Sequence, residues 1–330
     1  MDDVAAAAGV SRALVSLVMR EAPNVSDRRR QAVLEAADRL GYRPNAAARS
    51  LAERRSNTLG VVVNDLHNTF FADVVDGVHE VAKESGFRLL LNTAWMTDSD
   101  EREAVEAFLE YRVDAILVLG PRTEASALLD ASRSLPLVTI GSAVADVDAV
   151  VNDDLRGGEM VVEYLVGLGH SDIVHIDGGR GAGAVQRSDG FTTAIERLGL
   201  TPKVVPGDFT EKSGADAAAE LVGSGSMPTA IFAANDLCAV GVIDTLLAAG
   251  YRVPQDVSVV GYDNTDLARL GHINLTTVHQ PRLRMGRLAA EIALERLNGE
   301  RQHPVRHVVT PELTVRATTG RPPDAEEIPA

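Results

Sequence analysis

The chain has 330 residues, 45% hydrophobic and 24% charged, the balance of a soluble globular protein and too long for one typical core, so two or three domains are expected. No run approaches the roughly 18–20 apolar residues of a membrane span, and Asp2 and Asp3 stand where a signal peptide would carry basic residues, so a cytoplasmic location is expected. Cys238 is the only cysteine, which excludes disulfides within the chain and cysteine metal clusters. The net charge of −15 argues, taken whole, against a nucleic-acid partner, yet residues 1–55 hold ten arginines against seven acids, a net of +3 that leaves −18 for the remainder. A basic head can approach phosphate while an acidic body is repelled, which orients the molecule on a polyanion.

The head reads as three short helices. Asp3 to Ala8 is alanine-rich and ends at Gly9; Ser11 is a good N-cap for a second helix over about Arg12 to Met19, where Val15 and Val18 face a core with Val4, Ala8 and Val10. Ser26 is placed to cap a third, with Val33, Leu34, Ala37 and Leu40 as its apolar stripe and Gly41 as its stop. Three such helices with a glycine turn between the first two form a helix-turn-helix unit, whose second helix offers its N-terminal residues to a major groove. Pro44 then pushes Arg43 out of helical φ/ψ and Asn45 is a favoured N-cap, so a further helix is predicted to about Ala52. That is far below the ~12–15 residues an isolated helix needs in water, so it requires outside support. It is either an ordinary linker helix or a hinge that orders only when docked, with Leu51 free to wedge between base steps of a minor groove.

From Asn57 the pattern becomes alternating strand and helix: Leu59 to Val63, Phe71 to Ser85, Leu89 to Leu91, Glu101 to Tyr111, Ala115 to Leu119, Leu137 to Ile140, Gly158 to Leu168, Ile173 to Ile176, Gly190 to Leu198, Ala230 to Ala233, Ala239 to Ala249 and Val257 to Val260. Continuous apolar strands separated by helices of ten or more residues indicate parallel sheets covered on both faces. About 270 residues exceed one doubly wound sheet, so the body divides into two lobes near Asn152–Asp154.

Asp3-Val4-Ala5, Ala8-Gly9-Val10-Ser11, Val15-Ser16, Val25-Ser26 and Gly41-Tyr42-Arg43-Pro44-Asn45 with Ala48 and Leu51-Ala52 resemble the head and hinge of the lactose-repressor/galactose-repressor (LacI/GalR) family of bacterial transcription factors. Gly60-Val61-Val62, Asn68-Thr69-Phe70-Phe71, Leu168-Gly169-His170, Pro228 to Asp236, Val257 to Asp263 and Leu275-Thr276-Thr277-Val278 extend the resemblance over nearly the whole chain. It implies an all-α head (1–43), a hinge helix and linker (44–57) and an α/β periplasmic-binding-protein-like body (58–320) of two doubly wound parallel-sheet lobes. The first lobe would hold about 58–153 and 281–320, the second about 154–280, with a disordered tail at 321–330. The implied protein is a ligand-controlled repressor, cytoplasmic, binding a pseudo-palindromic operator and a small polar effector, most simply a sugar; whether the effector is an inducer or a co-repressor stays open. The Pro-rich, acidic tail has no leucine heptad, so a homodimer is expected rather than a coiled-coil tetramer.

The resemblance also places the sites. DNA contacts are expected from Ser11, Arg12, Ala13, Leu14, Ser16 and Leu17 on the reading helix and from Asn45, Ala48, Arg49 and Leu51 on the hinge. The family commonly carries threonine where Leu14 stands and arginine where Leu17 stands, so two leucines are expected toward the groove. Leucine can meet a thymine methyl but cannot hydrogen-bond guanine, which leaves Arg12 for a bidentate guanine contact. The chain also begins a few residues short of the family's usual start, so the first helix is expected to lack its N-cap. For the effector, polar residues at carboxyl ends of strands are the expected contacts: Asn235, Asp236, Asp263 and Gln280, with Arg187, while Phe70, Phe71 and Phe209 stack on a ring.

Two rival readings are weaker. A sugar-transport protein with the same body would need an export signal and no basic head. A nicotinamide-dependent enzyme would rest on Gly179-x-Gly181-x-x-Ala184 alone, and the following 20 residues lead to a helix end rather than to the acid that closes the next strand. The eight histidines show no metal spacing, and neither a nucleophile elbow nor a P-loop occurs, so no catalytic residue, cofactor or metal is expected.

Overall fold

Helices α1 (Asp2–Ala8), α2 (Arg12–Met19) and α3 (Asp27–Arg39) build the first of two units, Met1–Asn57, and the second spans Thr58–Ala330. The computed structural model describes residues 1–20, 22–43, 55–94 and 97–323, so the predicted hinge helix with Asn45, Ala48, Arg49 and Leu51 lies outside the described residues. Gly9 ends α1 in the left-handed region at φ 65°, and the Ser11 hydroxyl accepts the Leu14 N–H at 3.2 Å, so turn and cap form by local chemistry. Met1 precedes α1 with no side-chain cap bond. Ser26 stands at the N-cap of α3 but makes no side-chain cap bond, a correction to the expected role; its carbonyl alone accepts from Arg29 and Arg30. Val4, Val15, Val18 and Val33 close the small core.

The second unit holds two six-stranded sheets. The first runs β11 (Arg306–Val309), β5 (Asp148–Asn152), β4 (Leu137–Ile140), β3 (Ala115–Leu119), β1 (Thr58–Val63), β2 (Arg88–Thr93), all parallel. The second runs β12 (Glu312–Thr314), β10 (Thr276–His279), β9 (Ser258–Asp263), β8 (Ala230–Ala233), β6 (Ile173–Ile176), β7 (Lys203–Val205). Only β12 is antiparallel to its neighbour. Each sheet is apolar on both faces, with separate clusters around Leu117 and Phe108 in one and around Val259 and Phe232 in the other.

The chain therefore passes between the sheets three times: after β5, after β10 and between β11 and β12. The third passage corrects the expected lobe boundary, which kept 281–320 with the first lobe. Residues from Glu312 onward belong to the second sheet: Thr314 pairs with Thr277, the Thr318 hydroxyl donates to the Val259 carbonyl at 2.7 Å, and the Gly320 N–H donates to Ser258 Oγ at 3.0 Å. The physical reason is the edge of β10, whose backbone groups need a partner once buried.

The helices flanking the sheets are α4 (Thr69–Glu84), α5 (Asp98–Glu110), α6 (Ala125–Ser132), α7 (Asp154–Gly167), α8 (Ala184–Arg197), α9 (Glu211–Gly223), α10 (Asp236–Ala248), the short α11 (Asp266–Arg269) and α12 (Arg282–Leu297). Three pairs approach so closely that a glycine on each partner faces the other's backbone: Gly77 and Gly286 between α4 and α12, Gly158 and Gly190 between α7 and α8, Gly214 and Gly241 between α9 and α10. A Cβ on Gly286 would overlap the Val74 carbonyl oxygen. Gly286→Ala is thus expected to cost about 1–3 kcal/mol through forced separation of α4 and α12, read as a lowered melting temperature; an unchanged one would show that the helices can slide apart freely.

Candidate effector cleft and nucleic-acid interface

The carboxyl ends of both sheets open on one cleft of about 630 Å³, its mouth included. Asn64 follows β1, Gly120 follows β3, and Ile140 ends β4 before Gly141; opposite them Asn235 follows β8, Asp263 ends β9 and Gln280 follows β10. Outside the carboxyl ends of strands is where an open α/β sheet leaves room for a ligand. Phe70, Phe71, Phe209 and Arg187 also line the cleft, so seven of the eight effector residues expected from sequence come together here. Phe70 and Phe71 meet edge to face at 5.4 Å, and the Phe71 ring lies against Gly120.

Asp236 does not line it, a correction. It is fully buried, with Oδ2 accepting from the Thr265 N–H at 2.6 Å and hydroxyl at 2.9 Å and Oδ1 from the Thr277 hydroxyl at 2.6 Å. It fastens the loop after β9, and its burial keeps it from a ligand in the cleft. Burial first, opposed by these bonds, pushes its carboxyl up to about 6.

Arg187 is the centre of the floor. Only 3% exposed, it donates through Nη2 to Asp154 Oδ1 at 2.8 Å and through Nη1 to the Ala234 carbonyl, and its guanidinium carbon stands 3.4 Å from the centroid of the Tyr262 ring. Phe209 covers it from 5.4 Å. Burial raises the Asp154 carboxyl above the usual carboxylate range even with Arg187 beside it. Asp263 sits at φ 102°, a backbone region that disfavours side chains, and is held there by Arg282, which donates to its carbonyl, and by Gln280 Nε2, 2.6 Å from Oδ1. Oδ2 of Asp263 is left to meet a ligand. Asn235 spends Oδ1 on capping α10 through the Cys238 N–H at 2.8 Å and keeps its amide donors.

The glycine-rich segment after β6 has a structural explanation. Side chains on Gly178 or Gly181 would strike the Phe209 ring, and one on Gly183, at φ 76°, would strike the Asp154 carboxylate. The glycines let the loop fold over the cleft, where Ala182 rests near Gly120 and Gly141. His170 bridges Thr229 Oγ1 and the Gly320 carbonyl, both at 2.9 Å, where the chain's last described segment packs.

On the head, Ser11, Arg12, Ala13 and Leu17 of the reading helix are exposed, and Ser16 half-buried. Leu14 differs from expectation: it packs partly against the core of the head, so of the two leucines on the reading helix Leu17 alone is exposed. Arg12 lies 3.7 Å from Asp2, a pair exposed enough to open for another partner.

Residues 1–45 match bacterial regulatory proteins of the lacI family, and residues 162–319 match the periplasmic binding protein-like domain. The sequence is 34% identical over 324 residues to the HTH-type transcriptional repressor PurR of Vibrio cholerae serotype O1 (strain M66-2), covering 96% of each chain. The chain belongs to the LacI family. Its structure is similar to that of the transcriptional regulator CelR in complex with cellobiose, at 33% identity and a TM-score of 0.74. It is also similar to the lac repressor dimer bound to operator and the anti-inducer ONPF, at 26% identity and a TM-score of 0.87; each likeness covers 96% of this chain and 98% of the other. As a LacI-family protein it is a DNA-binding repressor with a small-molecule effector. No helix among the described residues is long and apolar enough to cross a membrane.

Among the polar cleft residues that escaped the sequence reading are Asn64, Asp65, Arg122 and Asp154. The signal was present. Each lies within three residues of the carboxyl end of a strand, the rule that located Asn235 and Asp263 in the other lobe.

Proposed function

We propose that this repressor takes a polyhydroxylated ring as its effector, held between the two lobes, and acts as a cytoplasmic homodimer on a pseudo-palindromic operator. The observation that carries the effector class is the floor of the cleft: a guanidinium neutralised by Asp154 with Phe209 5.4 Å from it, an unengaged oxygen on Asp263, and amides on Asn235 and Gln280 lining the same cleft. Carboxylate and amide groups bind vicinal hydroxyls, and the aromatic face takes the apolar side of a sugar ring. The cellobiose in the CelR complex supports this choice, and the operator-bound lac repressor dimer supports the assembly. Effector binding would change lobe closure, hence the spacing of two hinge segments, and so the grip on DNA. The head would dock Arg12, Ala13 and Leu17 in the major groove, with Ser11 and Ser16 at phosphates.

A thermal-shift screen against sugars tests the effector class, because a cleft-binding ligand raises stability by mass action; no shift with any sugar at millimolar concentration would refute it. For the head, Arg12→Ala is expected to flatten base preference by about 1–3 kcal/mol at one operator position while lowering nonspecific affinity little. Gel shifts on an operator and its point variants decide it, and equal losses on all sequences would contradict the assignment.

A further inference from the structure

Six buried side-chain polar atoms lack a hydrogen-bond partner among the described residues, and three of them belong to residues lining the cleft: Asn64 Oδ1, Arg122 Nε and Arg187 Nε. Such atoms are few in folded proteins, because each has given up a hydrogen bond to water without gaining another. All three residues wall the same cleft.

Two of the three form a unit on the wall of the first lobe. Glu101, fully buried, accepts the Asn64 amide at 2.8 Å and the Arg122 backbone N–H at 2.9 Å on the same oxygen, and the Thr123 N–H at 3.1 Å on the other. These three bonds occupy both carboxylate oxygens and hold Asn64 beside the Arg122 backbone. The Asn64 amide nitrogen also faces the Leu119 and Gly120 carbonyls, so the amide orientation is fixed and Oδ1 is the acceptor left over. Arg122 differs from Arg187 in one respect. Arg187 is neutralised by Asp154, whereas no carboxylate among the described residues lies within 4.0 Å of the Arg122 guanidinium. Closing a cleft over an unpaired cation is costly unless the ligand supplies the counter-charge.

We propose that the effector is a sugar acid: its carboxylate pairs with Arg122, and a neighbouring hydroxyl donates to Asn64 Oδ1. This rests on the cleft reading above and narrows it. A single carboxylate suits the site better than a phosphate, because one guanidinium is unpaired and can match one negative charge, while Asp65 and Asp263 line the same cleft and disfavour a second. Arg122 is then the residue that separates acidic from neutral sugars.

Titration calorimetry on the full-length protein tests this with glucuronate, galacturonate and gluconate, with glucose and galactose as neutral counterparts and glucose 6-phosphate as the phosphate. The expected result is that at least one acid binds about tenfold or more tightly than its neutral counterpart, less so at high salt. In Arg122→Gln the acid and its counterpart come within about twofold of each other, and Arg122→Lys recovers part of the difference. A neutral sugar binding as tightly as every acid overturns the proposal and leaves the sugar cleft standing. Tighter binding of the phosphate overturns the carboxylate assignment. Binding of none of these compounds overturns both.

Discussion

Asp263→Asn is expected to abolish the effector's influence on operator binding and, at neutral pH, to raise the melting temperature. The first effect follows from the free Oδ2, which in the amide becomes a donor or a weaker acceptor facing ligand hydroxyls. The second follows from burial, which pushes the Asp263 carboxyl up to about 7; Arg187 opposes that rise, Asp236 adds to it, and Arg282 and Gln280 lower it. An unfolded aspartate titrates near 3.9, so between about pH 4 and 7 the native state holds more protons than the unfolded chain, and stability falls as pH rises through that window. Asparagine has no such dependence. The stabilisation of the variant should therefore be largest above pH 7 and shrink toward pH 5, while Asp236, raised to about 6, keeps a residual slope of the same sign. Thermal melts across pH and a reporter assay check the two halves. A variant that still responds, or that melts lower at pH 7.5, would remove Asp263 from the effector's contacts or from this account of its burial.

Asp154→Ala should be the most destabilising change in the cleft, by about 3–5 kcal/mol, because it strands the Arg187 guanidinium uncompensated. The double variant Asp154→Leu with Arg187→Met should regain most of that loss, since apolar groups of similar volume can replace a buried pair at little cost. Its effector affinity should stay low, because the floor no longer offers the guanidinium. Denaturant titration and calorimetry on the two variants separate these roles. Equal stability of the single and double variants would mean that Arg187 is solvated in solution.

Much of this was legible in the chain. Val15 and Val18, Gly9 and Ser11 specify the head through spacing and capping, and the apolar runs Ala115 to Leu119 and Ala230 to Ala233 are central strands because they are buried on both faces. Other elements left weak traces. The three-residue β7 carries Lys203 at a sheet edge, and α9 packs through alanines and Gly214 rather than through a stripe of large side chains. Asp236 looked like a ligand residue because it stands at a strand end, and only its three bonds to threonine groups show that it is a fastener. Arg122 carried only its position three residues past the end of β3; the rest of its meaning comes from the absence of a carboxylate beside its guanidinium among the described residues.

Because β11 completes one sheet and β12 the other, a nascent chain cannot finish either lobe until residues 306–314 have left the ribosome. Both halves then mature together at the end of synthesis instead of one after the other, and shortening the chain ahead of Thr314 would expose the unpaired flank of β10 to neighbouring molecules.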